Sequence, residues 1–266
     1  MKIYSVIIFF LFHLMYSYSQ QIKIDKVRFQ VTYESAELIR PHTKTAMRDY
    51  KMLQIGDSLC KFFSISAERY QNKKDSLFAL GYTANQVMTL LANEERSKDN
   101  HVIIKGYPDR NHLTFLGMIG KNFSYQERSD LPKWEIVSEY RDILGYKCQK
   151  AKAAYKGRNW IAWFAQEIPL SSGPWKLYGL PGLILMAEDE KQEFVYTCIG
   201  LTDEDGEGVS MTMRDRKYIR TTKNEFMKLL KEAHYYPDKT ISKIYGAEIK
   251  LVSPDTQERS YNPIEF

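Results

Sequence analysis

Cysteine is scarce: the 266 residues hold only Cys60, Cys148 and Cys198. Three thiols allow at most one internal disulfide, so a disulfide framework is excluded, and no Cys-x-x-Cys pair is present. Histidine is sparse too. His42, His101, His112 and His234 lie in separate segments, and no two stand at the i, i+4 spacing that sets two imidazoles on one helix face. No metal site or cofactor is expected on these grounds. The chain has no Gly-x-Ser-x-Gly elbow and no phosphate-cradling glycine loop. Lysine and arginine exceed aspartate and glutamate by 38 to 33, but the two signs are interleaved. Nucleic-acid binding normally needs a clustered basic stripe, so it is not expected.

The beginning of the chain is informative. Met1-Lys2 precedes an apolar run from Ile3 to Met15, and Ser17-Tyr18-Ser19 follows as a small-x-small site. This is the layout of an export signal, and the run is shorter than the roughly 20 residues a helix needs to span a bilayer. Cleavage is expected after Ser19, which leaves 247 residues (266 minus 19) and a net charge of +4 in place of +5 once Lys2 is gone. No cysteine follows the run for lipid attachment, and the remainder has no membrane-spanning stretch. Residues 20–266 are expected to form a single β-rich domain in the periplasm or outside the cell.

Alternation dominates the chain beyond Gln20. Val27, Phe29, Val31 and Tyr33 have period two, as in a half-buried strand. Tyr50 to Ile55 and Ser58 to Ile65 read as two strands joined by a two-residue turn at Gly56-Asp57. From Ala67 to Lys98 the pattern weakens, with one short amphipathic helix expected over residues 83–96. Shorter β runs return at Val102 to Ile104, Leu113 to Ile119 and Asn122 to Glu127. After Pro132 three antiparallel strands follow in series, turning at Leu144-Gly145 and at Lys156-Gly157. Cys148 and Cys198 fall in strands, as buried thiols or a cross-strand pair. Thr222 and Glu225 form a capping box for a helix over 223–234, closed by Pro237. The fold class is mainly β (α+β): a curved antiparallel sheet or partly closed barrel with one or two covering helices.

Between these elements, Ile168 to Gly182 carries Pro169, Gly173, Pro174, Gly179, Pro181 and Gly182. It is therefore an ordered loop and not a helix or central strand. At its end, Leu180-Pro181-Gly182-Leu183 has the residues of a type II turn, with Gly182 supplying positive φ. Trp160, Trp163, Trp175 and Tyr178 concentrate aromatic surface around the loop. Strand tryptophans are usually core, whereas Trp175 and Tyr178 sit on the loop itself, where aromatics often make binding surfaces.

Residues Gly145 to Ala151, Gly157-Arg158, Ala162-Trp163-Phe164, Ile168-Pro169, Gly173-Pro174-Trp175-Lys176 and Gly179-Leu180-Pro181-Gly182-Leu183-Ile184 resemble the GLPGLI family of exported Bacteroidetes proteins. Met52 to Asp57, Lys61 to Ser64 and Asn262-Pro263-Ile264-Glu265 extend the likeness over most of the chain. Ala165 stands where many members carry threonine or serine. The resemblance implies no reaction, cofactor or catalytic residue.

The expected role is therefore non-enzymatic binding of a peptide, protein segment or apolar ligand in the concavity beside the loop. Trp163, Trp175, Tyr178, Gly179, Leu180, Pro181 and Gly182 are the candidate contacts. An envelope protein, a peptide or a lipid is the expected partner. The rivals are a thiol-dependent or hydrolytic enzyme built on Cys148, and a structural partner of an outer-membrane complex joined at a sheet edge. The acids Asp189, Asp203 and Asp205 lack EF-hand spacing and read as solvated turns.

Overall fold

The computed structural model describes residues 21–41, 44–95, 97, 99–204, 209–248 and 260–265. The expected signal segment, His42, Asp205 and the polar stretch 249–259 lie outside them. The described strands form one open, curved sheet of thirteen. Its central strand is β1 (Gln21–Glu37). On one side follow β2 (Met47–Gly56), β3 (Cys60–Ser64), β4 (Val102–Lys105), β5 (His112–Ile119), β6 (Lys121–Arg128) and, at the edge, β13 (Ile219–Arg220). On the other side lie β11 (Phe194–Asp203), β10 (Leu183–Asp189), β9 (Arg158–Ala165), β8 (Tyr146–Tyr155) and the edge strand β7 (Glu135–Ile143). A short strand, β12 (Ser210–Arg214), pairs with the first residues of β1. All neighbours are antiparallel except β13, which runs parallel to β6.

The alternation of β1 is realised in its burial: Val27, Val31, Tyr33, Ser35 and Glu37 point inward. Both predicted turns of the central block close hairpins with two left-handed residues each, Leu144 (φ 53) with Gly145 (φ 83) and Lys156 (φ 51) with Gly157 (φ 84). Two positive φ values in succession match the right-handed twist of the strands they join. The earlier hairpin differs from expectation by one residue. Gly56 N–H bonds to Leu59 C=O at 2.8 Å, so the central residues are Asp57 and Ser58. Gly56 is required for space, since a Cβ there would lie 2.5 Å from Asp25 Oδ2, the carboxylate that accepts from Ser58 and Leu59 N–H.

Among the described residues, four helices accompany the sheet. α1 (Ile65–Ala79) has no counterpart among the expected elements, because its only buried residue is Ser66 and it lacks an apolar stripe. Ser64 caps it, and it is moored by charge: Arg214 pairs with Glu68 and Asp75, and Arg216 with Asp75. α2 (Ala84–Leu90) is capped by Thr83 and ends earlier than the periodicity suggests. α3 (Lys223–Tyr235) starts at the predicted Thr222–Glu225 capping box and inserts Phe226 among Phe115, Phe123 and Tyr125. Pro237 does end α3, but it also opens α4 (Pro237–Tyr245). Proline at a first helical position lacks only an N–H that would be unbonded anyway. Among the described residues, no helix is long and apolar enough to cross a membrane.

The sheet buries two clusters. The larger runs from Val31, Tyr33 and Phe62 through Trp160 and Phe164 to Ile184 and Tyr196, and the smaller holds Val27, Leu59, Ile104, Leu116 and Met211. Ile103 and Ile104 are adjacent on β4 and go to different clusters, as strand alternation requires.

Candidate functional site

The loop between β9 and β10 is held on the sheet by its own backbone. Ile168 N–H bonds to Ala165 C=O, Leu183 N–H to Ile168 C=O and Ile184 N–H to Ser172 C=O. Leu177 N–H closes a turn on Pro174 C=O, with Trp175 at φ 52. The expected type II turn at Leu180 to Leu183 is not formed. Positive φ falls at Gly179 (φ 95) and not at Gly182. Gly182 is instead the place where the loop crosses the end of β9 in backbone contact: a Cβ there would lie 2.2 Å from Ala165 C=O oxygen.

Of the seven candidate contacts, Trp163, Trp175, Tyr178, Leu180 and Gly182 are buried, while Gly179 and Pro181 stand at the surface. Trp175 stacks on Trp160 with ring centroids 5.4 Å apart, and meets Tyr155 edge-on. Tyr178 donates its hydroxyl to Asp130 C=O at 3.1 Å, and its own C=O accepts from Trp134 Nε1 at 2.8 Å. Trp163 lies under the Arg141 guanidinium, 4.5 Å from the ring centre. Packing thus accounts for most of the aromatic surface that the loop carries.

The polar residues of the same motifs are anchored internally. Arg158 is 7% exposed and donates to Asp189, Glu193, the Asn262 side chain and the carbonyls of Pro263 and Ile264. Asp189 is therefore a buried ion partner, which corrects its reading as part of a solvated turn. It also accepts from Phe194 N–H at 2.8 Å. The Lys176 ammonium is buried 2.6 Å from Glu127 Oε1 and 2.6 Å from Glu265 Oε1, and Lys223 reaches Glu265 Oε2 at 2.7 Å. Glu127 Oε1 and Glu265 Oε2 meet these ammonium groups as ion pairs. Burial alone would raise the Glu265 pKa, and Lys176 and Lys223 more than reverse that, holding it below the usual carboxylate range.

A third buried charge carries no local sequence signal. Lys51 is 1% exposed and bonds to Asp99, with Asp49 at 3.1 Å and Glu37 at 3.9 Å. Glu37 accepts from the Tyr196 hydroxyl at 3.0 Å; burial pushes its pKa up against the opposing pull of Lys51. These partners are scattered between residues 37 and 196, so no local motif could reveal them. Among the described residues, no group of three or more His, Cys, Asp and Glu is placed to hold a metal ion.

Beside the loop, the sheet leaves a narrow hollow of about 240 Å³ including its mouth. Leu53, Cys60, Phe62 and Ile103 line it from the sheet, and Ser172, Trp175, Leu177 and Tyr178 from the loop. Lys105 stands at its side with its ammonium 3.9 Å from the centre of the Tyr178 ring. Ligand pockets for whole small molecules occupy about 300–1,000 Å³. The hollow is smaller than these.

All three cysteines are free thiols. Burial, with Asp142 adding to it, pushes Cys148 up to about 11, and burial does the same to Cys198. Cys60 is the partly exposed one, and accepts from the Ser172 hydroxyl at 3.6 Å. A thiol reacts through its thiolate and only where a reagent can reach it. Iodoacetamide at pH 8 should therefore label Cys60 in the native protein, and Cys148 and Cys198 only after unfolding. Peptide mass spectrometry checks this, and native labelling of Cys148 at the rate of Cys60 would contradict the burial described.

Against this geometry stand the known proteins. A family model described as "Protein of unknown function (Porph_ging)" matches residues 152–186. That span holds the last four residues of β8, all of β9, the loop and the first residues of β10. No curated protein matches the chain. Two crystal forms of PNGF-II resemble it in structure. In the P21 form the TM-score is 0.51 at 12% identity, covering 78% of this chain and 34% of that one. In the C2 form the TM-score is 0.52 at 12% identity, covering 78% and 33%. The chain spans about a third of the length of PNGF-II, and at this identity the likeness is one of fold.

Proposed function

We propose that the chain is an exported cell-envelope protein of the GLPGLI family that binds a segment of another protein or a peptide, without catalysis. The observation that carries the reading is the hollow beside the loop, walled by Trp175, Tyr178 and Phe62. The surface residues Gly179 and Pro181 form the adjoining rim of the loop, next to the exposed Leu131, which lies 2.6 Å from where a Gly179 Cβ would be. The ordered motifs support the family, and the matched model covers their central block.

Catalysis by Cys148 is disfavoured by its burial and raised pKa, since a nucleophilic thiol needs both access and ionisation. Edge pairing through β7 is disfavoured by the irregularity between Val137 and Tyr140 and by the charges of Glu135, Glu139, Arg141 and Asp142, which blunt an edge.

Native mass spectrometry of protein recovered from its own envelope tests the reading. An added polypeptide mass is expected, and it should disappear after Cys60, on the wall of the hollow, is alkylated with N-ethylmaleimide. A bare chain before alkylation, or a bound mass indifferent to it, would overturn the proposal.

A further inference from the structure

A second cleft of the described residues lies away from the loop. It lies between α1, the strands β3 to β6 and the segment that leaves β12. Each element contributes one coherent face. Ser64, Ala67, Glu68 and Gln71 are spaced i, i+3, i+4, i+7 along the start of α1. Phe63, Val102 and Leu116 are successive register partners and make an apolar row across the sheet; Met118 and its partner Asn122 make the next row. Arg214, Arg216 and Tyr218 alternate along the third wall.

The charges in these walls are already matched. Arg214 donates through Nε to Asp75, through Nη1 to Glu68, and through Nη2 to Asn72 and the Glu68 carbonyl. An anion would have to displace these bonds. Asn100 and Asn122 are different: both are half-buried in the cleft, and among the described residues neither carboxamide has a hydrogen-bond partner. A carboxamide offers a donor and an acceptor side by side, which is the pattern of a peptide unit.

We propose that this cleft is a second binding site, independent of the loop hollow, for an uncharged amide-bearing ligand with one apolar side chain. Its amide groups meet Asn100 and Asn122, and its side chain lies on the Phe63–Leu116–Met118 floor.

N-acetyl-leucine methylamide is the probe, titrated into the full protein and followed by the side-chain amide NMR signals of Asn100 and Asn122. A saturable shift with a dissociation constant on the order of 1 mM is expected for a ligand of this size. Asn122→Ala should weaken it about fivefold, the loss of one hydrogen bond. Met118→Lys, which sets an ammonium on the floor at a partly exposed position, should weaken it without involving either carboxamide. Melting temperatures confirm that both variants fold. No saturable shift up to about 20 mM, affinity unchanged from the parent in Asn122→Ala or in Met118→Lys, or an equal response to inorganic phosphate would each overturn the proposal. Alkylation of Cys60 should leave this titration unchanged, which separates it from the loop reading.

Discussion

Lys176→Met should cost about 3–5 kcal/mol of stability, because it leaves Glu127 and Glu265 buried without the ammonium between them. The substituted side chain nearly preserves the volume, so the loss is one of charge. It should appear as a lower urea midpoint at an unchanged slope. Adding Glu265→Gln should restore part of it by removing one of the stranded charges. The pH dependence has a defined sign. The folded-state pKa of Glu265 lies below its ordinary 4.5, so its contribution is present above that value and is lost as pH falls through the folded pKa. As pH falls through the lowered folded-state pKa of Glu265, the difference between parent and variant should narrow. A stability unchanged by Lys176→Met at pH 7 would mean that the buried triad is not formed.

Gly182→Ala should cost about 3 kcal/mol. The added methyl would lie 2.2 Å from the Ala165 carbonyl oxygen, 2.7 Å from its carbon and 3.0 Å from Gln166 Cα. All three are backbone atoms, so no side-chain rotation relieves the contact and the loop must lift from β9. For a domain of this size the melting temperature should fall by roughly 6–12 °C. Gly200→Ala is the control: no atom lies within 4 Å of the new methyl and φ is not positive. It should stay within about 0.5 kcal/mol of the parent. Equal melting temperatures for the two variants would remove the packing role assigned to Gly182.

Local chemistry makes much of this fold legible. Leu144-Gly145 and Lys156-Gly157 are turn pairs that act within two residues, and they form hairpins as expected. The Thr222 and Glu225 capping box acts within one helical turn and is equally readable. α1 is not, because salt bridges to Arg214 and Arg216, more than 130 residues away, hold it where an apolar stripe usually would. Gly182 has the look of a turn residue because sequence shows its neighbours and not the strand it crosses. The loop aromatics suggest a binding surface; their packing on Trp160 and Tyr155 becomes visible only once β8 and β9 are placed beneath them. Cys60, Lys105 and Ser172 meet across 112 residues at most, with no shared motif.

The position of β1 bears on how the sheet comes together. β1 to β6 are hydrogen-bonded in chain order, as are β7 to β11, so each half can assemble from short-range pairings. The halves meet where β1 pairs with β11, and the shortest span across that seam is from Glu37 to Phe194, 157 residues (194 minus 37). Closing a loop of that length costs about 4–5 kcal/mol in chain entropy before any bond across the seam is gained. Adding residues to the connection between the halves changes this cost only logarithmically, so insertions there weaken the seam far less than a lost β1–β11 side-chain contact would.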